Sequence, residues 1–141
     1  MPVTVIRSIR NSTEVRWSIT NLENPAETEE GGRASYSLYP GDTWLCSIRI
    51  PSPEGEWQFN SGSPRNPNSR GAYILIMTPR PVELAVSRKF AVWQQGNHVR
   101  YSTDASWSEN GPLVPGNNSA GGDKGVEIVG TNRFDAELRF Y

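Results

Sequence analysis

Several residue types that would direct the interpretation are scarce in this chain. One cysteine and one histidine occur in 141 residues, which excludes an internal disulfide and a zinc site built from several imidazoles. No apolar run approaches the roughly 18 residues of a membrane-spanning helix, and the N-terminal residues lack the pattern of a secretory leader. We therefore expect a protein without a transmembrane segment that is cytoplasmic or released without a signal peptide.

Net charge is also nearly absent. Lys and Arg number 14 against 15 Asp and Glu, which gives a formal net charge of -1. This balance produces no long-range field that would concentrate phosphates at the surface, so nucleic acid is not an expected partner. The length suits one domain over residues 1–141, and 13 glycines and 11 prolines indicate many turns and loops.

Strand patterns run along the chain from end to end. Apolar and polar residues alternate in 14–20, 43–50 and 136–141, which is typical of strands with one face on a core. Residues 72–77 are apolar on both faces and predict a central strand covered on both sides. Shorter strands are predicted at 3–9, 33–39, 56–59, 82–86 and 125–129. With a hairpin near residue 96 the total is about ten, which predicts an all-β, antiparallel sandwich or small barrel.

The predicted hairpin lies within residues 90–107. Its turn is Gly96-Asn97, and a two-residue turn there places Trp93 opposite Arg100, with His98 directly after the turn. Directly opposed residues share a face of a sheet. One face of the hairpin is therefore apolar and belongs on the core, whereas the other face carries Trp93, His98 and Arg100.

This second face has two interpretations. A flat aromatic ring among imidazole and guanidinium donors suits a sugar, whose C–H face stacks on the ring while its hydroxyls take directional hydrogen bonds. Arg100 would then lie over the Trp93 ring in a cation–π contact of roughly 0.5–1 kcal/mol. Alternatively, Trp93 packs under a loop or a second sheet and Arg100 covers it, since large aromatics in small β domains are usually structural.

The segment WQQGNHVRYSTDASWSENGPLVPG and the terminal AELRFY resemble one blade of the fucose-binding β-propeller lectins of fungi and bacteria. The matching features are an aspartate closely followed by a tryptophan, a glycine-bearing loop and a strand that ends in Arg-aromatic. In this chain they are Asp104, Trp107, Gly111 and Arg139 with its two aromatic neighbours. The resemblance covers about residues 90–141.

The resemblance to these lectins implies that Trp107 and Arg139 line a sugar pocket, with Asp104 beside them. Those lectins also bind the sugar through an acidic residue on the strand before the aspartate, where this chain has Arg100. A propeller needs several blades, so an alternative to the sandwich is a propeller-like blade assembled in an oligomer.

Catalysis is not expected. His98 is the only imidazole, and it lies beside a predicted hairpin turn, where a shielded general base is not expected. Cys46 shares the apolar face of its strand with Trp44 and Ile48, which predicts a buried, inert thiol. The acidic residues fall mainly in loops, so we predict no catalytic residues, no metal and no cofactor. Calcium binding by Asp104, Glu109 and Asp123 is the alternative, although these residues lack the regular spacing of a known calcium loop.

Three functions remain open on these grounds. The first is a non-catalytic carbohydrate-binding protein that binds glycans or glycoconjugates, either alone or as a homo-oligomer. Its predicted site residues are Trp93, His98, Arg100, Asp104, Trp107 and Arg139. The second is a membrane-active or lipid-binding β-sandwich, with membrane contact through glycans or lipid headgroups. The third is a structural or protein-interaction domain.

Overall fold

The fold is a β-sandwich. A computed structural model describes residues 2–60, 74–82, 88–109 and 111–141, and these residues form nine strands in two sheets. The strands are β1 (Thr4–Ser12), β2 (Arg16–Asn21), β3 (Tyr36–Leu38), β4 (Thr43–Arg49), β5 (Leu75–Arg80), β6 (Phe90–Gln95), β7 (His98–Ser102), β8 (Gly122–Val129) and β9 (Glu137–Phe140). A 3₁₀ turn (Pro25–Thr28) follows β2, and a short helix, α1 (Glu56–Asn60), follows β4.

The two sheets differ in size and share one core. The four-stranded sheet has the order β4-β1-β8-β9, and the five-stranded sheet has the order β3-β2-β5-β6-β7. All strand pairs are antiparallel except β1 with β8, which is parallel. The all-β prediction is confirmed, and the packing of two sheets decides between sandwich and small barrel in favour of the sandwich.

The core lies between the sheets and follows the predicted alternation. Trp17 and Ile19 of β2, Ile48 of β4, and Leu138 and Phe140 of β9 are buried there. Strand β5 lies between β2 and β6 and is apolar on both faces at its start, as predicted for a central strand. The two-residue alternation along each strand is enough to assign these residues to the core, because one face of each sheet is buried against the other sheet.

One predicted strand is wrong, and another lies almost entirely outside the described residues. Residues 56–59 were expected to be a strand, but they belong to α1, in which the Phe59 amide donates to the Gly55 carbonyl oxygen at 3.1 Å. Four residues are too few to show a strand period, and the surface that Phe59 covers is provided by distant residues. The strand predicted at 82–86 lies outside the described residues for all but Val82, and residues 72 and 73 of the central strand also lie outside them.

The blade alternative is wrong for the fold. A propeller blade is one four-stranded sheet, whereas β6 and β7 belong to the five-stranded sheet and β8 and β9 to the four-stranded sheet. Residues 90–141 are therefore divided between the two layers. Among the residues described, no helix is long and apolar enough to cross a membrane.

Candidate functional site

The hairpin of β6 and β7 has the predicted register. Trp93 is paired with Arg100 and Val92 with Tyr101, and Gly96 in the turn has a φ of 63°. Positive φ is the conformation that a tight two-residue hairpin turn requires of its first residue. The assignment of Val92 and Tyr101 to the core, and of Trp93 to the opposite face, is confirmed.

Trp93 nevertheless has no exposed surface. Its ring contacts Phe59 of α1 edge-on at 5.3 Å and Trp107 at 5.3 Å between ring centroids. Together with Ile74 and Ala91 these rings form a second hydrophobic group, the aromatic cluster, on the outer face of the five-stranded sheet. Of the two interpretations of this face, the exposed Trp93 ring is wrong and the packed ring is confirmed, because α1 and the segment after β7 fold over it.

The polar residues near this cluster have structural contacts. Arg100 is half-buried and its Nη1 donates to the Gly111 carbonyl oxygen. Asp104 accepts hydrogen bonds from the amide and hydroxyl of Ser106, and these bonds lower the pKa of the Asp104 carboxyl. His98 is exposed next to the turn. In the described part of the chain, the cation–π contact found does not involve Arg100.

Trp107 and Arg139 are not brought together. Trp107 is half-buried against Trp93 and Phe59, on the outer face of the five-stranded sheet. Arg139 lies in β9 of the other sheet, between buried Leu138 and Phe140, and is exposed on the far side of the sandwich. The six residues predicted as a site therefore do not line one common surface.

A different concave surface lies on the outer face of β3, β2 and β5. It is a groove of about 920 Å³, which we call the arginine groove. Its lining residues are Arg16, Ser18, Glu30, Gly31, Arg33, Ser35, Ser37, Tyr39, Arg80, Pro81 and Val82. Its volume falls within the range of about 300–1,000 Å³ that is usual for ligand pockets.

Strand pairing places two of the arginines side by side. Arg16 of β2 is directly opposite Arg80 of β5, and their neighbours Trp17 and Pro79 point into the sandwich. Both arginine side chains therefore point outward into the groove, because residues alternate across a strand. Directly opposed residues have Cβ atoms roughly 4.5–5.5 Å apart, so two positively charged side chains enter the groove from neighbouring positions.

A glycine turn builds the opposite wall. Glu30 and Arg33 exchange two backbone hydrogen bonds of 2.8 and 3.0 Å around Gly31 and Gly32, whose φ values are 58° and 81°. Two consecutive positive φ values are typical of a type I′ turn, which glycine adopts without steric cost. The turn carries Arg33 and Glu30 to the groove, where a Glu30 carboxylate oxygen accepts the Ser37 amide at 2.9 Å.

Contacts between side chains orient the groove. The Arg16 guanidinium carbon lies over the Tyr39 ring, 5.7 Å from its centroid. Arg80 Nη2 donates to Ser18 Oγ at 3.3 Å. Tyr39 is 52% exposed, so much of its surface remains accessible to a ligand. The groove thus combines an aromatic ring, hydroxyl groups, one carboxylate and three permanently charged guanidinium groups.

Sequence reasoning did not find this groove. The alternation in residues 14–20 places Arg16 on the outward face of its strand, but its partner Arg80 is known only from the pairing of β2 with β5. One local signal is present, since Gly31-Gly32 between Glu30 and Arg33 is a strong hairpin-turn sequence.

Groups that are common in catalysis lie elsewhere. The Cys46 thiol faces the core, contacts the Ile6 carbonyl oxygen at 3.5 Å, and has its pKa raised to about 12 by burial. Such a thiol is not ionised near neutral pH and is a poor nucleophile. Within the residues that are described, no group of three or more His, Cys, Asp or Glu side chains is placed to hold a metal ion.

Comparisons with models of protein families, with curated proteins and with solved structures gave no match to this chain.

Proposed function

We propose that this protein binds carbohydrate without catalysis and that the sugar lies in the arginine groove. The observation that carries the proposal is the half-exposed Tyr39 ring, which borders a concave surface of guanidinium and hydroxyl groups. The sugar-binding hypothesis is thereby moved from Trp93 and Trp107, which pack in the aromatic cluster, to another part of the same sheet face.

The groove suits both surfaces of a sugar. The apolar C–H face of a pyranose stacks on an aromatic ring, and Arg16 holds the Tyr39 ring in place by lying over one side of it. Sugar hydroxyls both donate and accept hydrogen bonds. Guanidinium groups supply donors, Glu30 supplies an acceptor, and serine hydroxyls act as either.

The groove is open, and a single open site of this kind binds weakly. We expect useful affinity to come from several sites presented together, on a homo-oligomer or against a multivalent glycan, since linked binding events raise the effective concentration. Glycans and glycoconjugates on surfaces are therefore the expected partners.

The test is a broad glycan array followed by titration calorimetry with the best oligosaccharide. Tyr39→Ala should weaken binding at least about tenfold, a loss of about 1.4 kcal/mol, because it removes the stacking surface. Tyr141→Ala is the matched control, since Tyr141 is 55% exposed on the other sheet, and it should leave the affinity unchanged.

Two results would contradict the proposal. One is an array without any bound glycan at high protein concentration. The other is binding that survives Tyr39→Ala but is lost on replacing Trp107 with phenylalanine, which would return the sugar to the aromatic cluster.

A second candidate is a lipid-binding surface. Val82 at the edge of the groove is 55% exposed and Tyr39 is 52% exposed, and aromatic and apolar side chains beside arginines suit the bilayer interface. Co-sedimentation with phosphatidylcholine vesicles separates the two candidates. Lipid binding that free oligosaccharides do not compete would favour the second candidate over the first.

A further inference from the structure

We propose that the arginine groove selects acidic glycans, with a carboxylate or sulfate of the sugar bound between Arg16 and Arg80. This inference rests on the proposed function and specifies the class of ligand for the same site. It is argued from charge, because hydroxyl recognition alone does not require three arginines around one groove.

The two arginines occupy opposed positions on neighbouring strands. Arg16 and Arg80 are directly opposed across β2 and β5, and both point out of the sheet. Like charges that face each other across strands destabilise a sheet. A pair of this kind lowers the stability of the free protein, and an anion between the two guanidinium groups removes that repulsion.

Among the described residues, the arginines of the groove have no carboxylate partner. Elsewhere in the sandwich Arg7 pairs with Asp123 at 3.1 Å, and Arg88 pairs with Glu137 at 3.3 Å. In the ranges that the structure describes, no carboxylate lies within 4.0 Å of the guanidinium nitrogens of Arg16, Arg33 or Arg80.

The remaining carboxylate of the groove does not cancel these charges. Glu30 is the one acidic residue among the lining residues that the structure describes, and it accepts a hydrogen bond from the Ser37 amide. Three guanidinium groups against one carboxylate leave an excess of positive charge in a concave surface. Such a surface raises the local concentration of anions, although the protein as a whole carries a net charge of -1.

Both arginine side chains are already held by contacts within the protein. Arg80 is bound to Ser18 Oγ, and Arg16 lies over the Tyr39 ring. Fixing these long side chains before binding reduces the entropy lost on binding. The planar guanidinium group presents paired donors that match a carboxylate or sulfate. An acid group between the arginines leaves its sugar ring beside Tyr39.

The test compares pairs of ligands that share a sugar backbone and differ in the acid group. Oligogalacturonate is paired with its methyl ester for the carboxylate, and dextran sulfate with dextran for the sulfate. The wild-type protein should bind an acidic member at least about tenfold more tightly than its neutral partner. This preference should decrease between about 50 mM and about 500 mM NaCl, because salt screens exposed charges.

Variants assign the preference to the groove. Arg16→Gln and Arg80→Gln should each reduce the ratio of acidic to neutral affinity towards one, even where they also weaken binding of the neutral ligand. Arg49→Gln is the matched control, since Arg49 is exposed on β4 of the other sheet, and it should retain the preference. Circular dichroism and thermal melting check that each variant is folded.

The outcomes are distinguishable. Equal, Tyr39-dependent binding of acidic and neutral ligands would overturn this inference and leave the proposed function standing. Loss of the preference in Arg49→Gln but not in Arg16→Gln or Arg80→Gln would also overturn it. Binding of no sugar would overturn both proposals, and so would binding only to vesicles that contain phosphatidylglycerol. In the latter case the anion would be a lipid headgroup.

Discussion

The outer face of the five-stranded sheet has two halves. Both show the same alternation of inward and outward side chains, but their outward side chains lie in opposite environments. Near Trp93 of β6, outward side chains are buried under Phe59 and Trp107. Near Arg16 and Arg80, at the other end of β2 and β5, outward side chains line an open groove. One half is dry and aromatic, and the other is open and charged.

The difference shows what alternation along a strand decides. It decides which way a side chain points, and it was right for Trp93 and for Arg16. It does not decide what covers that side chain, because the cover comes from distant parts of the chain such as α1. An outward tryptophan is therefore not necessarily an exposed one.

The largest expected effect comes from removing Trp93, which tests whether the buried half of this sheet face depends on its ring. Because its ring is fully buried between Phe59 and Trp107, Trp93→Ala should lower the free energy of unfolding by about 3–5 kcal/mol. Urea unfolding followed by far-ultraviolet circular dichroism measures this loss. Glycan affinity per folded molecule should not change, since the groove lies at the other end of the strands.

The matched control for this prediction is Trp93→Phe. It keeps an aromatic contact with Phe59 and should cost clearly less stability than Trp93→Ala. If both variants were as stable as the wild type, the aromatic cluster would not be a packed part of the fold. The ring would then be available to a ligand, as in the first of the two interpretations of the sequence.

A smaller effect of opposite sign, an increase in the free energy of unfolding, is expected in the arginine groove. Arg80→Gln should raise the free energy of unfolding by roughly 0.2–1 kcal/mol, because it removes a like-charged cross-strand partner of Arg16. The gain should shrink as salt is added. Thermal melting at low and high ionic strength measures it. Unchanged or lower stability at low salt would mean that the two charges do not repel in the free protein.

Much of the fold could be predicted from the sequence. Strand period, turn residues and the Gly96-Asn97 hairpin gave the all-β class, the β6–β7 register and the core residues of β2, β4 and β9. These features depend on neighbours within a few residues. The pairing of β1 with β8 and the helix at 56–60 depend on contacts between distant segments, and no local period encodes them.

The candidate site was less predictable, for a related reason. Trp107 and Arg139 belong to the same lectin-like motif, but they lie on opposite faces of the sandwich. Arg16 and Arg80 are far apart in sequence and become neighbours only through the register of β2 and β5. A binding surface made by sheet pairing requires the pairing to be known first, whereas a tight turn such as Gly31-Gly32 does not.

The smallest expected effect concerns pH and the cover of the aromatic cluster. Asp104 accepts two hydrogen bonds from Ser106, just before Trp107, and these bonds lower its pKa. A lowered pKa in the folded state adds stability above the usual value of 3.8. That stability is lost as the pH falls below 3.8, through the lower pKa of the folded state. Acid should therefore loosen the segment that carries Trp107.

Acrylamide quenching of tryptophan fluorescence between about pH 5 and about pH 3 measures this loosening. The comparison is made with Asp104→Asn, which keeps an acceptor oxygen but does not ionise. The wild-type protein should show an additional increase in quenching at low pH that the variant lacks. Identical pH profiles would show that Asp104 has no part in holding the cover.

The parallel pair of β1 and β8 has a consequence for folding. Thr4 pairs with Gly122 and Ser12 with Val129, so β1 meets one of its two neighbours only after the long segment between them has been synthesised. During synthesis β1 has an open edge until residues 122–129 leave the ribosome. Long-range pairing of this kind slows folding and leaves hydrophobic strand edges exposed. We expect the four-stranded sheet to close late and the nascent chain to be vulnerable to aggregation until then.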